Sequence, residues 1–334
     1  MVRETGVSYY GVAYPERAIE DFRDLLEHSC NAVLFGISEF DYWFWHENTF
    51  KLIELAKLRG FTVYVDLWGW GKVFGGEPPS IFLQKHHEYR QVSAKGKVYA
   101  AACFNTEEFR NYVVERVEEL AKESDADYFF WDEPHYAWLK EDWTCRCPTC
   151  LKLFKEEYGY EMPKELTKDV VEFRQKKIIE FLKLLSKTVK EADSSKKICV
   201  CLLPTTEPII GIPDWETIAE ISEVDMIATD PYWISKGLSR EEGIKWFTEF
   251  GAKIVELGKK YDKETQLWVQ GYRIPRSRVE EVVEGILKAG ELGVDSIFVW
   301  CYKAGEGSIL ASEDSKYTWD RIGYAFRKVR IKER

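Results

Sequence analysis

The chain has 334 residues, of which 47 are Lys or Arg and 57 are Asp or Glu, giving a formal net charge of −10. That balance argues against nucleic acid or an anionic membrane surface as the main partner, and no apolar run is long enough to span a bilayer. With 45% hydrophobic residues and no signal-peptide pattern at the start, a soluble cytoplasmic protein is expected, whose eight cysteines serve as thiols or metal ligands rather than disulfides.

In chain order, short apolar runs alternate with amphipathic stretches eight times. The expected strands cover 7–14 (VSYYGVAY), 31–37 (NAVLFGI), 61–67 (FTVYVDL), 127–133 (DYFFWDE), 197–203 (KICVCLL), 224–230 (VDMIATD), 265–271 (TQLWVQG) and 295–301 (DSIFVWC). Most are near-continuous apolar runs, the pattern of parallel strands buried on both faces. Helical segments separate them. One opens with Pro15 at its first turn, and another ends at Gly60. Eight β-then-α units predict a (β/α)8 TIM barrel of the α/β class. A doubly wound sheet would carry a glycine-rich phosphate loop after its first strand, and "GVAYPERA" is not one. Two connections are long: 68–105 after the third strand, and 134–165 after the fourth, which leads into a helix over roughly 166–193. One domain over 1–334 with two insertions is expected.

On a barrel, polar residues that end apolar strands point into the catalytic mouth. Here these are Glu39, Asp66, Asp132, Glu133, Glu207 and Asp230, set among Trp68, Trp70, Tyr232, Trp233, Tyr272 and Trp300. Charged residues make up 31% of the chain, rich in Lys and Glu, a composition met in thermophiles. Carboxylates bind sugar hydroxyls, aromatic rings stack on sugar faces, and two carboxyl groups cleave glycosidic bonds. Each carboxylate taken singly could equally cap a helix or pair with Arg. Asp132 and Glu133 are adjacent, so in a straight strand they point to opposite faces. Pro134 implies that the strand has begun to turn by then. Like charges so close push one pKa upward, as a general acid requires.

"CRCPTC" places Cys145, Cys147 and Cys150 in a C-x-C-x-x-C knuckle, with Cys103 as the fourth ligand of a structural Zn2+ and His135 as the substitute for it. Unligated thiols in a polar loop are the competing reading. Cys30, Cys199, Cys201 and Cys301 lie in or beside apolar strands, where cysteine packs as a small core residue.

These residues resemble a known family. "GVAYPERAIEDFRDLLEHSCNAVLFGISEF", "YRQVSAKGKVYAAACFNTEEFR", "WDEPHY" and "CRCPTCLKLFKEEYG" are similar to stretches of the glycoside hydrolase family 42 β-galactosidases, over roughly residues 6–160. The resemblance implies a four-cysteine zinc site at Cys103, Cys145, Cys147 and Cys150, with Glu133 as acid/base glutamate. Asp132 stands where the family has an asparagine, and Gln270 where it has its nucleophilic glutamate. A glutamine cannot form the glycosyl-enzyme ester. Three routes remain open. In the first, Asp132 and Asp230 are nucleophile and acid/base, in a resemblance to the α-galactosidase-type barrels; in the second, the enzyme inverts; in the third, the barrel binds sugar without cleaving it.

The expected function is therefore a glycosidase-like barrel acting on a glycoside or oligosaccharide. Glu133 is its general acid, and Asp132 or Asp230 the second carboxylate. Asp66, Glu39, Gln270, Tyr232 and Tyr272 are expected to contact substrate, with Trp68 and Trp300 stacking on it. The alternative is a non-hydrolytic carbohydrate-binding protein on the same fold. The sequence leaves the sugar, its anomeric configuration and the oligomeric state open.

Overall fold

The computed structural model describes residues 2–330. Its strands are β1 (Glu4–Tyr9), β2 (Ala32–Gly36), β3 (Thr62–Asp66), β4 (Tyr128–Trp131), β5 (Lys197–Leu202), β6 (Met226–Thr229), β7 (Glu264–Gln270) and β8 (Ser296–Trp300). All pair in parallel with their chain neighbours, and β8 returns to β1, closing the barrel. The (β/α)8 expectation therefore holds. The first strand differs: it pairs over Glu4–Tyr9 rather than 7–14. The residues after Tyr9 are still apolar, but Gly11 has φ +76°, which takes the backbone out of the extended form.

The helices after each strand are α1 (Ala18–Glu27), α2 (His46–Leu58), α3 (Glu107–Glu123), α4 (Lys168–Ala192), α5 (Glu216–Ala219), α6 (Arg240–Tyr261), α7 (Val279–Leu292) and α8 (Ser315–Val329). Local chemistry sets their ends. Ser239 and Glu242 form a capping box at the start of α6, and Gly293 closes α7 in the left-handed region. The fifth helix is reduced to four residues. Among the described residues, no helix is long and apolar enough to cross a membrane.

Because strand side chains alternate, the barrel has two cores. Outward residues such as Val33, Val65, Phe129 and Val200 pack under the helices. Inward residues such as Leu34, Tyr64, Phe130, Met226, Trp268 and Phe298 fill the barrel itself. Gly6 faces inward on β1 because a Cβ there would sit 2.6 Å from the Phe298 ring. The N-terminal end is closed by Glu264, which accepts hydrogen bonds from Arg3 (3.0 Å), Tyr128 (2.5 Å) and Lys197 (2.6 Å).

Two long connections cover part of the C-terminal end. The one after β3 holds a short helix (Ile81–Lys85) and an antiparallel hairpin of Arg90–Val92 with Val98–Ala102. The one after β4 holds the helix Pro148–Tyr158, with Pro148 in its first turn and Gly159 as its left-handed cap.

Candidate active site

The last inward position of each strand forms the barrel mouth. On β4 the inward series is Tyr128, Phe130 and then Asp132; on β6 it is Met226, Ala228 and Asp230; on β8 it is Ser296, Phe298 and Trp300. Glu133 has the wrong parity, yet it faces the same cavity, because its φ of +41° turns the chain back. The turn is fixed by His135, whose Nδ1 donates to the Glu133 carbonyl at 2.5 Å and whose backbone N–H donates to Val73 O at 3.0 Å.

Asp132, Glu133, Asp230, Tyr232, Tyr272 and Trp300 line one cavity of about 260 Å3. Phe130, Trp268, Cys201, Gly76 and Glu77 complete its wall. The carboxylates crowd together. A Cβ on Gly75 would lie 2.4 Å from Asp132 Oδ2 and 2.9 Å from Glu133 Oε2. Those two oxygens are thus no farther apart than the sum of these distances, and only glycine fits between them and the loop. Asp230 approaches Glu133 within hydrogen-bonding reach.

Burial dominates the electrostatics. It raises the Asp132 carboxyl well above the usual carboxylate range, with the Glu133 and Glu77 charges adding to the effect. Asp230 is raised by burial, then by the charge and hydrogen bond of Glu133. Asp66 lies beside the cavity, fully buried at the end of β3, and neither of its oxygens has a hydrogen-bond partner. Burial raises its pKa too, with Asp132 and Glu133 contributing. Carboxyls so arranged share protons and titrate as a group.

The remaining expected contacts lie elsewhere. Trp68 sits a layer back from the cavity, packed on Tyr10 at 4.5 Å between ring centroids; Tyr10 in turn stacks on Trp300 at 5.5 Å. Gln270 does not line the cavity. Its Oε1 accepts from Ser235 N and its Nε2 donates to Tyr272 O, both at 2.9 Å, so its amide ties two loops together. Glu39 is likewise a strut rather than a substrate contact. Its carboxylate accepts from Gly71 N (2.8 Å), Ser80 Oγ (2.7 Å), Phe82 N (2.6 Å) and Tyr112 OH (3.1 Å), which exhausts its capacity. Trp70 and Trp233 belong to the outer core and donate their indole N–H groups to Ile37 O and Glu281. Glu207 is exposed, away from the cavity.

Sequence reasoning missed Trp268, Phe130 and Glu77. Trp268 and Phe130 stand two residues before Gln270 and Asp132, so the period of two would have placed them inward. Glu77 sits in "GGEPPS", where no period exists.

Cys103, Cys145, Cys147 and Cys150 form a second, separate site. All four are buried and their sulfur atoms lie within 4.8 Å of one another. Cys103 Sγ is 3.5 Å from both Cys150 Sγ and Cys147 Sγ, and none of the four is in a disulfide. A tetrahedral ion with metal–sulfur bonds of ~2.3 Å sets its sulfurs roughly 3.8 Å apart, so this group can hold a metal. His135 is not part of it. Asn105 Nδ2 donates to Cys150 Sγ at 3.3 Å, a further contact of the kind that orients a ligand.

No protein-family model and no curated protein sequence matches the chain. Its fold is nevertheless shared with solved glycosidase barrels. A β-galactosidase from the haloarchaeon Halorubrum lacusprofundi superposes with a TM-score of 0.77 at 14% identity, over 98% of this chain and 58% of that one. A family 42 β-galactosidase from G. stearothermophilus gives 0.76 at 14% identity, over 98% and 56%. The catalytic domain of a β-amylase from Paenibacillus polymyxa gives 0.67 at 10% identity, over 98% and 99%. The chain thus spans little more than half the length of these β-galactosidases.

Proposed function

We propose that the chain is a glycoside hydrolase-like barrel that cleaves a glycosidic bond by carboxylate acid/base chemistry. The observation that carries this reading is the convergence of Asp132, Glu133 and Asp230 on one aromatic-lined cavity at the C-terminal mouth, on a fold shared with solved β-galactosidases and a β-amylase. Glu133 passes a proton to the leaving oxygen as the anomeric C–O bond breaks, and takes one back from the water that later attacks. Asp132 or Asp230 supplies the second carboxylate, which meets the anomeric carbon before water replaces it. An inverting pair needs about 6.5–9.5 Å for the intervening water; the close packing around Gly75 favours retention. Trp300 and Trp268 offer faces for stacking the sugar ring.

Replacing Glu133→Gln tests the assignment. Turnover of a broad panel of aryl glycosides is expected to fall by roughly 10²–10⁴-fold while sugar binding persists. Near-normal rates would remove Glu133 from the mechanism.

The second reading, a carbohydrate-binding protein without hydrolysis, is favoured by Gln270. It stands where the resemblance places a nucleophile, and its amide is committed to the backbone. Tight sugar binding in calorimetry with no cleavage across the panel would select it.

The four cysteines are proposed to hold a structural Zn2+. All four ligand positions come from the protein, so no site is left for a reacting water.

A further inference from the structure

The cavity carries more carboxylates than hydrolysis requires. Two suffice for a glycosidase, yet Asp132, Glu133, Asp230 and Glu77 line it and Asp66 adjoins it. No Lys, Arg or His is among the lining residues. The Lys72 ammonium, beside Glu77 at the lip, donates to the carbonyls of Gly76 and Pro78 rather than lining the cavity. Asp230 is 6% exposed and its Oδ1 has no hydrogen-bond partner; both oxygens of Asp66 also lack one. Buried carboxylates are ordinarily paired with cations or hydrogen-bond donors. Among the described residues both Asp66 oxygens and Asp230 Oδ1 lack such a partner, and the side chain that reaches Asp230, Glu133, is itself a carboxyl.

We infer, resting on the glycosidase reading, that the sugar unit taken by this cavity is cationic: the terminal residue of a glycoside bearing a free, unacetylated ammonium group. Such a group brings three donors and a positive charge to a wall of crowded carboxyl groups, in a setting where charge pairing is little screened. A neutral hydroxyl brings a donor without the charge. An N-acetyl group sets a carbonyl acceptor against carboxylates, and a uronate adds a like charge. The neighbouring Trp and Tyr rings also accept an ammonium on their faces. A single inorganic ion fits less well. Among the described residues, the four cysteines are the only group of three or more His, Cys, Asp or Glu side chains whose ligand atoms converge within 4.8 Å, so no three of the carboxylates close on one metal. The cavity volume, about 260 Å3, falls below the ~300–1,000 Å3 of sites for drug-sized ligands. It suits one terminal sugar unit.

Isothermal titration of the full chain with glucosamine, galactosamine, their N-acetyl forms, the parent hexoses and glucuronate tests this, since a free monosaccharide has no glycosidic bond to cleave. The amine is expected to bind about tenfold or more tightly than its parent hexose, and N-acetylation to abolish the gain. Asp230→Asn is expected to shrink the amine's advantage. So is Glu77→Gln, which lies on the exposed lip where folding is not at stake. Equal or tighter binding of the hexose, the N-acetyl sugar or the uronate overturns the cationic-substrate inference and leaves the glycosidase reading intact. Amine preference without cleavage of any glycoside overturns only the glycosidase reading. Binding of no sugar overturns both.

Discussion

Asp66 closes the inward series of β3, and the fold gives neither of its oxygens a donor. Its folded-state pKa is raised by burial, so the folded protein holds a proton there that the unfolded chain releases near pH ~4. By linkage, this residue's contribution to stability is complete below that pH and is lost as pH rises through the folded pKa. Asp66→Asn keeps the shape and removes the titration. It is expected to raise stability by on the order of 1 kcal/mol at neutral and alkaline pH, with the gain vanishing near pH 4. Thermal melts of both proteins across that range would check it, and a loss of stability at pH 8 would contradict the assignment. Single residues were only partly legible in the sequence. Asp132, Asp230 and Trp300 could be placed by alternation from the apolar residues two positions earlier. Glu133 could not, because alternation ends where the backbone turns to φ +41°. Glu39 looked like any other strand-end carboxylate; the four donors that occupy it come from three separate places in the chain after it.

At the scale of elements, the two long connections are tied to each other and to the barrel by polar contacts. Glu39 grips the one after β3 through the backbone of Gly71 and Phe82. Removing that carboxylate (Glu39→Ala) leaves two buried N–H groups unpaired, at about 1–3 kcal/mol each, a loss that chemical denaturation would measure. The cysteines join the hairpin end at Cys103 to the start of the helix Pro148–Tyr158. One zinc per chain is expected by atomic absorption, and Cys103→Ser is expected to cost several kcal/mol because metal binding and folding are coupled. Chains free of metal with unchanged melting would refute the clasp. The cysteine spacing was readable because a knuckle is local. The strut was not, because its partners are brought together only by the fold.

For the whole molecule, the barrel is closed at its N-terminal end by ion pairing across it. Glu264 on β7 receives Arg3, Tyr128 and Lys197 from the ends of three other strands. Although burial opposes it, these partners lower its pKa to about 2. Its contribution to stability is therefore present above the unfolded value near ~4.3 and is lost as pH falls through about 2. Glu264→Gln is expected to destabilise by about 1–3 kcal/mol at neutral pH, a difference that disappears in strong acid; an unchanged denaturation midpoint at pH 7 would count against it. By itself the sequence determined the eight strands, their order, the aromatic and acidic character of the mouth, and the cysteine knuckle. These follow from periodicity and short-range spacing, which burial on two faces and tetrahedral ligation impose locally. Only the tertiary structure decided which carboxylates share a cavity and which are consumed as struts. It also decided that Gln270 binds backbone and that, among the described residues, no Lys, Arg or His lines the acidic cavity. Those outcomes depend on where strands and loops distant in sequence meet, and no local pattern encodes the distance between them.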